Sequence, residues 1–445
     1  MSVDNTWTGP VTQALLDASR SIADQALPNA RQRAACCLLD WLGVTLAGSD
    51  HALVTVLAND AIAEHGVGEW RLPGRVERVR LRDFVLVSGV AGHVLDYDDG
   101  LAPMMGHPSV AILPALLAVA VGQACSGAEL LDAIVLSVEM AARVGLLMSE
   151  QHYERGFHAT GTLGAIAAAA GCARLLRLGE QQSLIAIGLA ATRAAGLRAS
   201  FGTGGKALHA GWAALNGYTA ARWAQRGYDG PLDILGDRCG MQALAGELDV
   251  RSALAPPVDG SHMMAVTFKQ FASCGLTHPA IRAALHLRST HALQERDIEQ
   301  VQVWVNPRLQ TICTIDTPLT GLQAKFSLRA TVAMAFSGVD MSAPAAFSDA
   351  SVNTVEHLAL QARVGVLLDE GLPLNGCRLV VRARQFEYLE TGTSTAKGCS
   401  SHLLQGLLKK FDSLASQIVG ARRSSELASS IMGIAHADLV QFILD

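Results

Sequence analysis

Alanine and glycine fill the longest apolar runs of this chain, and small residues at that density favour closely packed helices. Residues 163–173 read Leu-Gly-Ala-Ile-Ala-Ala-Ala-Ala-Gly-Cys-Ala, and residues 110–121 are apolar throughout. A helix surfaced with Ala and Gly lets a neighbour's axis come close. Aromatics make up 5% of the 445 residues while hydrophobic residues make up 50%, a balance that favours helix on helix over a β-sandwich. Both runs fall short of the roughly 20 residues that span a bilayer, so they read as core helices and no membrane role is expected.

Helical spacing recurs from Val11 to about Gly227. Ala34, Leu38, Trp41 and Leu42 share one face, and Gly48-Ser49-Asp50 is a stop signal. Further helices are expected over 88–94, 109–123, 127–150, 159–176, 181–192 and 208–225. The texture changes near residue 265. Val301-Gln302-Val303-Trp304-Val305 alternates as a half-buried strand does, and 378–384 is a second strand candidate. Helical patterns lie around them at 279–286, 328–336 and 352–362, and helix returns over 401–414 and 426–444. The expected class is mainly α. A large, discontinuous all-helical domain covers 1–262 and 393–445, and a smaller α+β domain is inserted over 263–392.

The net charge is −5 and no basic block occurs, so no nucleic-acid partner is expected. The first ten residues are polar and carry Asp4, with no basic segment leading into an apolar one, so no secretory leader is expected. The nine cysteines are scattered, with no C-x-x-C and no Cys/His spacing suited to zinc or iron–sulfur. Reduced, buried thiols in a cytoplasmic protein, with no metal and no cofactor, are the expectation. Lysine is scarce. Lys206, Lys269, Lys325, Lys397, Lys409 and Lys410 are all there are, so each one is informative.

Four segments could carry chemistry. The first runs from Gly92-His93-Val94-Leu95-Asp96-Tyr97-Asp98-Asp99-Gly100 to Gly106-His107-Pro108. Its carboxylates and imidazole can take up and deliver protons. If 95–100 were helical, Asp96 and Asp99 would share a face and Asp98 would point elsewhere. The alternatives are a solvated acidic loop and a Mg²⁺ site. The second is Gly156-Phe157-His158-Ala159-Thr160-Gly161, with His158 facing a cavity and Thr160 as a hydroxyl donor, or simply a capped helix start. The third is Gly202 to Gly211, where Lys206 and His209 are spaced three apart at a Gly-rich helix start suited to an anion such as a carboxylate. The fourth is Lys269-Gln270-Phe271-Ala272-Ser273-Cys274-Gly275-Leu276-Thr277-His278. Cys274 as a nucleophile with His278 as its base lacks a third orienting group, so a thiol in a tight turn is preferred. Together the segments offer cations and acid/base groups without a dinucleotide fingerprint, metal cage or triad. That profile suits cofactor-free proton chemistry beside a carboxylate.

These segments, with Leu38-Leu39-Asp40-Trp41-Leu42-Gly43, Gly230-Pro231-Leu232-Asp233 and Gln323-Ala324-Lys325-Phe326-Ser327-Leu328, run in an order that resembles the MmgE/PrpD family. That family includes 2-methylcitrate dehydratase, cis-aconitate decarboxylase and iminodisuccinate epimerase. The resemblance implies a helical domain, an α+β lid, a homodimer, and a pocket between the domains. It places Asp96, His107, His158, Lys206 and His278 in catalysis, with Thr160, His209, Lys269 and Ser273 as substrate-binding candidates. Arg329, where the family often has Pro, reads as an extra cation near the lid. Family decarboxylases carry a Thr soon after the acidic cluster, where this chain has Gly100-Leu101-Ala102. The implied activity is therefore a cofactor-independent lyase on a di- or tricarboxylate, with dehydration first, epimerisation second and decarboxylation third. The contrasting reading is an inactive helical dimer that serves as a binding protein.

Overall fold

A computed structural model describes residues 9–313, 315–393 and 401–443. Lys397, Cys399 and the far end of the 426–444 helix expectation lie outside them. The chain opens with α1 (Val11–Asp24), α2 (Pro28–Gly48) and α3 (Ala52–His65), and α2 has Pro in its first turn, where no backbone N–H is needed. Then come α4 (Leu81–His93), α5 (Pro108–Gly122), α6 (Gly127–Glu154), α7 (Ala159–Leu175), α8 (Glu180–Ala191) and α9 (Gly204–Gln225). The Ala-rich α7 is central. It packs on α5, α6, α8 and α9, and Arg174 is its single residue that is not buried.

Glycine sets the approach of α4 to α9. A Cβ on Gly89 would sit 2.7 Å from the Cα of Gly211, and one on Gly211 would sit 2.4 Å from the carbonyl oxygen of Leu86. Gly211→Ala forces those backbones apart, and overpacking of this kind typically costs about 1–3 kcal/mol. A urea unfolding midpoint lowered to match is the expected result. An unchanged midpoint would mean that the helices need not touch.

Beyond α9 lie α10 (His278–Thr290), β1 (Ile298–Val305), α11 (Leu328–Ser337), α12 (Val355–Gln361), β2 (Val364–Leu368), β3 (Gly376–Ala383) and β4 (Phe386–Thr393). The strand order is β2-β1-β3-β4, with β1 and β2 parallel and the other two pairings antiparallel. The two expected strands are the central pair, in register from Val301 opposite Val381 to Val305 opposite Cys377. The outer two were not expected. β4 is an edge that leaves Phe386 and Leu389 largely exposed, so its apolar residues do not follow an inside–outside alternation.

The chain then returns to the helical side. α13 (Ser401–Val419) and α14 (Ala421–Met432) both pack on α2. Where helix was expected to run from 426 to 444, α14 stops at Met432 with Gly433 next, and short 3₁₀ turns follow at Ile434–His436 and Gln441–Ile443. The fold is mainly α with a smaller α+β part. No single helix among the described residues is long and apolar enough to cross a membrane.

Candidate active site

The segment between α4 and α5 turns sharply at Asp96, which has φ +50°. A non-glycine residue in the left-handed region costs roughly 1–2 kcal/mol and persists only where its surroundings enforce it. Here three lysines, Lys325 and Lys269 buried and Lys410 with its side chain largely covered, hold three consecutive carbonyls. Lys325 Nζ donates to Leu95 at 2.7 Å, Lys269 Nζ to Asp96 at 2.8 Å and Lys410 Nζ to Tyr97 at 2.7 Å. Lys206 Nζ takes the Asp96 side chain, 2.6 Å from Oδ1. Four of the chain's six lysines thus converge on residues 95–97.

Residues 95–99 are not helical, so the three carboxylates diverge. Asp96 Oδ1 also lies 3.1 Å from Lys269 Nζ. Asp98 does not point away, as a helix would have had it. It accepts from His93 Nδ1 at 2.9 Å and lies 3.3 Å from His107 Nδ1. Asp99 turns inward to the Ser109 hydroxyl at 2.5 Å.

His107 and His158 occupy the positions just before α5 and α7, and neither side chain caps its helix. Ser, Thr, Asp or Asn there would add typically ~1 kcal/mol, so imidazoles at both starts are a local sacrifice of stability. His107 Nδ1 donates to the Asp99 carbonyl at 2.7 Å. A carbonyl only accepts, so the neutral ring keeps its lone pair on Nε2. Thr160 Oγ1 accepts from the His107 backbone N–H at 3.0 Å. His158 Nδ1 is 3.0 Å from His209 Nδ1, and its buried Nε2 has no partner among the described residues.

Asp96, His107, His158, Lys206 and Lys269 line one cavity of about 620 Å³. Phe201, Phe326, Ile312, Leu374 and Asn375 line it too, so both parts of the fold contribute. Each ammonium has three donors. Lys206 uses two of them, on Asp96 Oδ1 and on His93 Nε2 at 2.9 Å, which leaves one for a ligand. Asp96 Oδ2 is buried without a partner among the described residues. With Asp96 ionised between two ammonium groups, these three charges sum to about +1, which suits an anion.

Burial pushes the Asp96 carboxyl up, but Lys206 and Lys269 outweigh it and hold it well below the usual range. It is therefore a weak base. Burial, and then Lys206, push His158 well below its ordinary value. Burial brings His93 down to about 4 with Asp98 acting against it, and burial with Lys269 brings His278 down to about 3. These folded imidazoles stay neutral where the unfolded ones, near 6.5, take a proton. Their stabilisation is therefore complete above about pH 6.5 and is lost as the pH falls toward 4. Urea titrations should show a clearly lower midpoint at pH 5 than at pH 7.5. A midpoint that rises on acidification would contradict the burial of these rings.

Four sequence candidates stand behind the cavity wall. Thr160 orients His107, and His209 backs His158. Ser273 Oγ bonds Thr277 Oγ1 at 3.0 Å inside its own turn. His278 Nε2 donates to the Ser273 carbonyl at 3.3 Å, and its ring meets Phe271 edge-on. Arg329 is not on the cavity either and lies 3.7 Å from Asp316. His93, Asp98, Lys325 and Lys410 shape the site without standing out as site residues in the sequence. The scarcity of lysine was the available signal for the last two. His93, Asp98 and His107 bring possible ligand atoms within 4.8 Å of one another. Their nitrogens facing Asp98 already serve as N–H donors, so a cation there would have to displace two protons.

Residues 18–250 match the MmgE/PrpD N-terminal domain and residues 271–431 the MmgE/PrpD C-terminal domain. The chain belongs to the MmgE/PrpD family. It is 30% identical to human cis-aconitate decarboxylase over 219 residues, 47% of this chain and 45% of that protein. It is 31% identical over 238 residues to the cis-aconitate decarboxylase-like protein oryM of Aspergillus oryzae, covering 51% and 49%. It is 23% identical over 316 residues to cis-aconitate decarboxylase of Aspergillus terreus, covering 65% and 62%. The chain spans about half the length of the first two of these relatives.

Proposed function

We propose that this MmgE/PrpD family member is a cofactor-independent lyase acting on a di- or tricarboxylate. One observation carries the reading: two imidazoles, two ammonium groups and the Asp96 carboxylate line a single cavity. Lys206 and Lys269 hold substrate carboxylates. His107 Nε2 takes the proton α to a carboxylate. Asp98, 3.3 Å from Nδ1, favours the imidazolium so formed, in the way a buried carboxylate serves a catalytic imidazole. The enolate-like charge develops beside the ammonium groups, where one well-placed donor is typically worth ~3–4 kcal/mol. His158 hydrogen-bonds the departing hydroxyl as a neutral donor, the Lys206 ammonium gives it the proton so that it leaves as water, and exchange with solvent returns the His107 imidazolium and the Lys206 amine to their starting states.

A base backed by a carboxylate favours a first step of proton abstraction, so a 2-methylcitrate dehydratase-like hydro-lyase leads. Epimerisation shares that first step. Decarboxylation is the second reading, favoured by the names of the relatives. It needs a proton donor but no base. Proton NMR in D₂O with 2-methylcitrate, citrate, cis-aconitate and iminodisuccinate separates them. Loss of water, loss of CO₂ and deuterium wash-in alone each leave a distinct spectrum. No change in any of the four at high protein concentration would remove the substrate class. A homodimer belongs to the same proposal, and light scattering that gives the mass of one chain would count against it.

A further inference from the structure

Among the described residues, Cys274 is the one cysteine on the cavity wall. The proposed reaction does not use it. Its Sγ is 3.9 Å from the Sγ of Cys313, which is buried just behind the wall. The two thiols belong to separate segments. Cys274 sits in the turn before α10, where its N–H donates to the Lys325 carbonyl at 3.0 Å. Cys313 follows the 3₁₀ turn Pro307–Thr311, with its N–H on the Leu309 carbonyl at 2.8 Å. The neighbours of each are cavity residues: Gly275 and Leu276 on one side and Ile312 on the other. The Lys269 stem runs past the same turn, since a Cβ on Gly275 would be 4.0 Å from Lys269 Cε.

We propose that Cys274 and Cys313 form a redox-active dithiol on the cavity wall, closed to an intramolecular disulfide by a small-molecule disulfide. An S–S bond is about 2.05 Å long, so the sulfurs must approach by about 2 Å from their 3.9 Å contact. The roles of the two thiols differ. The Cys313 thiol, donating to Cys274, holds the Cys274 thiol below its ordinary value, with burial acting against it. The same bond, with burial, holds Cys313 well above. Cys274, as thiolate, attacks one sulfur of the reagent and expels a thiolate. Cys313 then loses its proton to solvent, attacks the Cys274 sulfur and expels the second thiolate. Two protein thiols are oxidised by two electrons, and one reagent disulfide is reduced to two thiols. The link pins Gly275 and Leu276 to Ile312 and so alters one wall of the cavity.

The test needs no turnover, so it stands apart from the proposed reaction. The full chain is incubated with hydroxyethyl disulfide at pH 7.5, quenched in acid, alkylated and mapped by mass without reduction. The expected result is a dominant Cys274–Cys313 cross-linked peptide, two thiols lost per chain beyond any adduct on the exposed Cys239, and full reversal by dithiothreitol. Cys313→Ser is expected to stop at a single adduct on Cys274. The proposal is overturned if the adduct persists on Cys274 of the natural chain without cross-linking. It is equally overturned if Cys274 stays unmodified while the exposed Cys239 takes the reagent.

Discussion

His107→Ala is expected to lower kcat by about 10²- to 10⁴-fold, the usual worth of a positioned general base, and to leave the fold in place. The ring is partly open to the cavity, with 17% of its side chain exposed, and the backbone around it is held independently. Its own N–H is bound to Thr160, Leu101 pairs with Gly106, and Pro108 opens α5. Removing the imidazole takes away the proton acceptor and frees the Asp99 carbonyl, while these other contacts keep the loop in place. Asp98 keeps its bond to His93. Circular dichroism and the urea midpoint check the fold, and the NMR assay checks turnover. If turnover stayed within ten-fold of the natural chain, the assignment of His107 as base would be wrong.

Lys206→Ala is expected to damage both stability and turnover. Lys206 sits in the first turn of α9, an unfavourable place for a cation in the helix field. Its partners compensate: Asp96 Oδ1 at 2.6 Å and His93 Nε2 at 2.9 Å, all three buried. Removing one member of a buried pair typically costs about 3–5 kcal/mol, because the other charge is left uncompensated. Lys269, 3.1 Å from the same oxygen, should hold the loss toward the lower end. Turnover should fall at least about 10²- to 10³-fold, as when one donor to the developing negative charge is removed. An isosteric variant separates the two effects. Lys206→Met keeps the buried stem and leaves Asp96 paired with Lys269, so it should recover part of the stability but no activity. Recovery of activity would show that the ammonium serves the fold alone.

Much of this site was legible in the sequence because its groups are chemically unusual where they stand. His107 and His158 precede helices where small polar caps are favoured, and Lys206 opens a Gly-rich helix start. All three reach the cavity with Asp96 and Lys269. The rest was hidden for physical reasons. Asp96 adopts φ +50°, a conformation that helical spacing does not announce. That single turn brings Asp98, rather than Asp99, to the imidazoles. The lysines that enforce it come from 110 to 313 residues away along the chain. His278 and Ser273 bond each other's turn instead of facing the cavity, which depends on side-chain directions that a local motif does not encode. In the fold, β1 and β3 were visible because they are buried in alternation, whereas β4 and β2 are edges with weaker patterns.

The proposed reaction needs segments far apart in the chain to build one anion-binding hollow whose base is His107. A crystal structure with tricarballylate, a tricarboxylate that carries no leaving hydroxyl, tests it directly. The account predicts carboxylate oxygens within hydrogen-bond distance of Lys206 Nζ and Lys269 Nζ, with a methylene carbon facing His107 Nε2. Tricarballylate bound elsewhere, with the hollow between His107, His158 and Lys206 holding only water at saturating ligand, would contradict it.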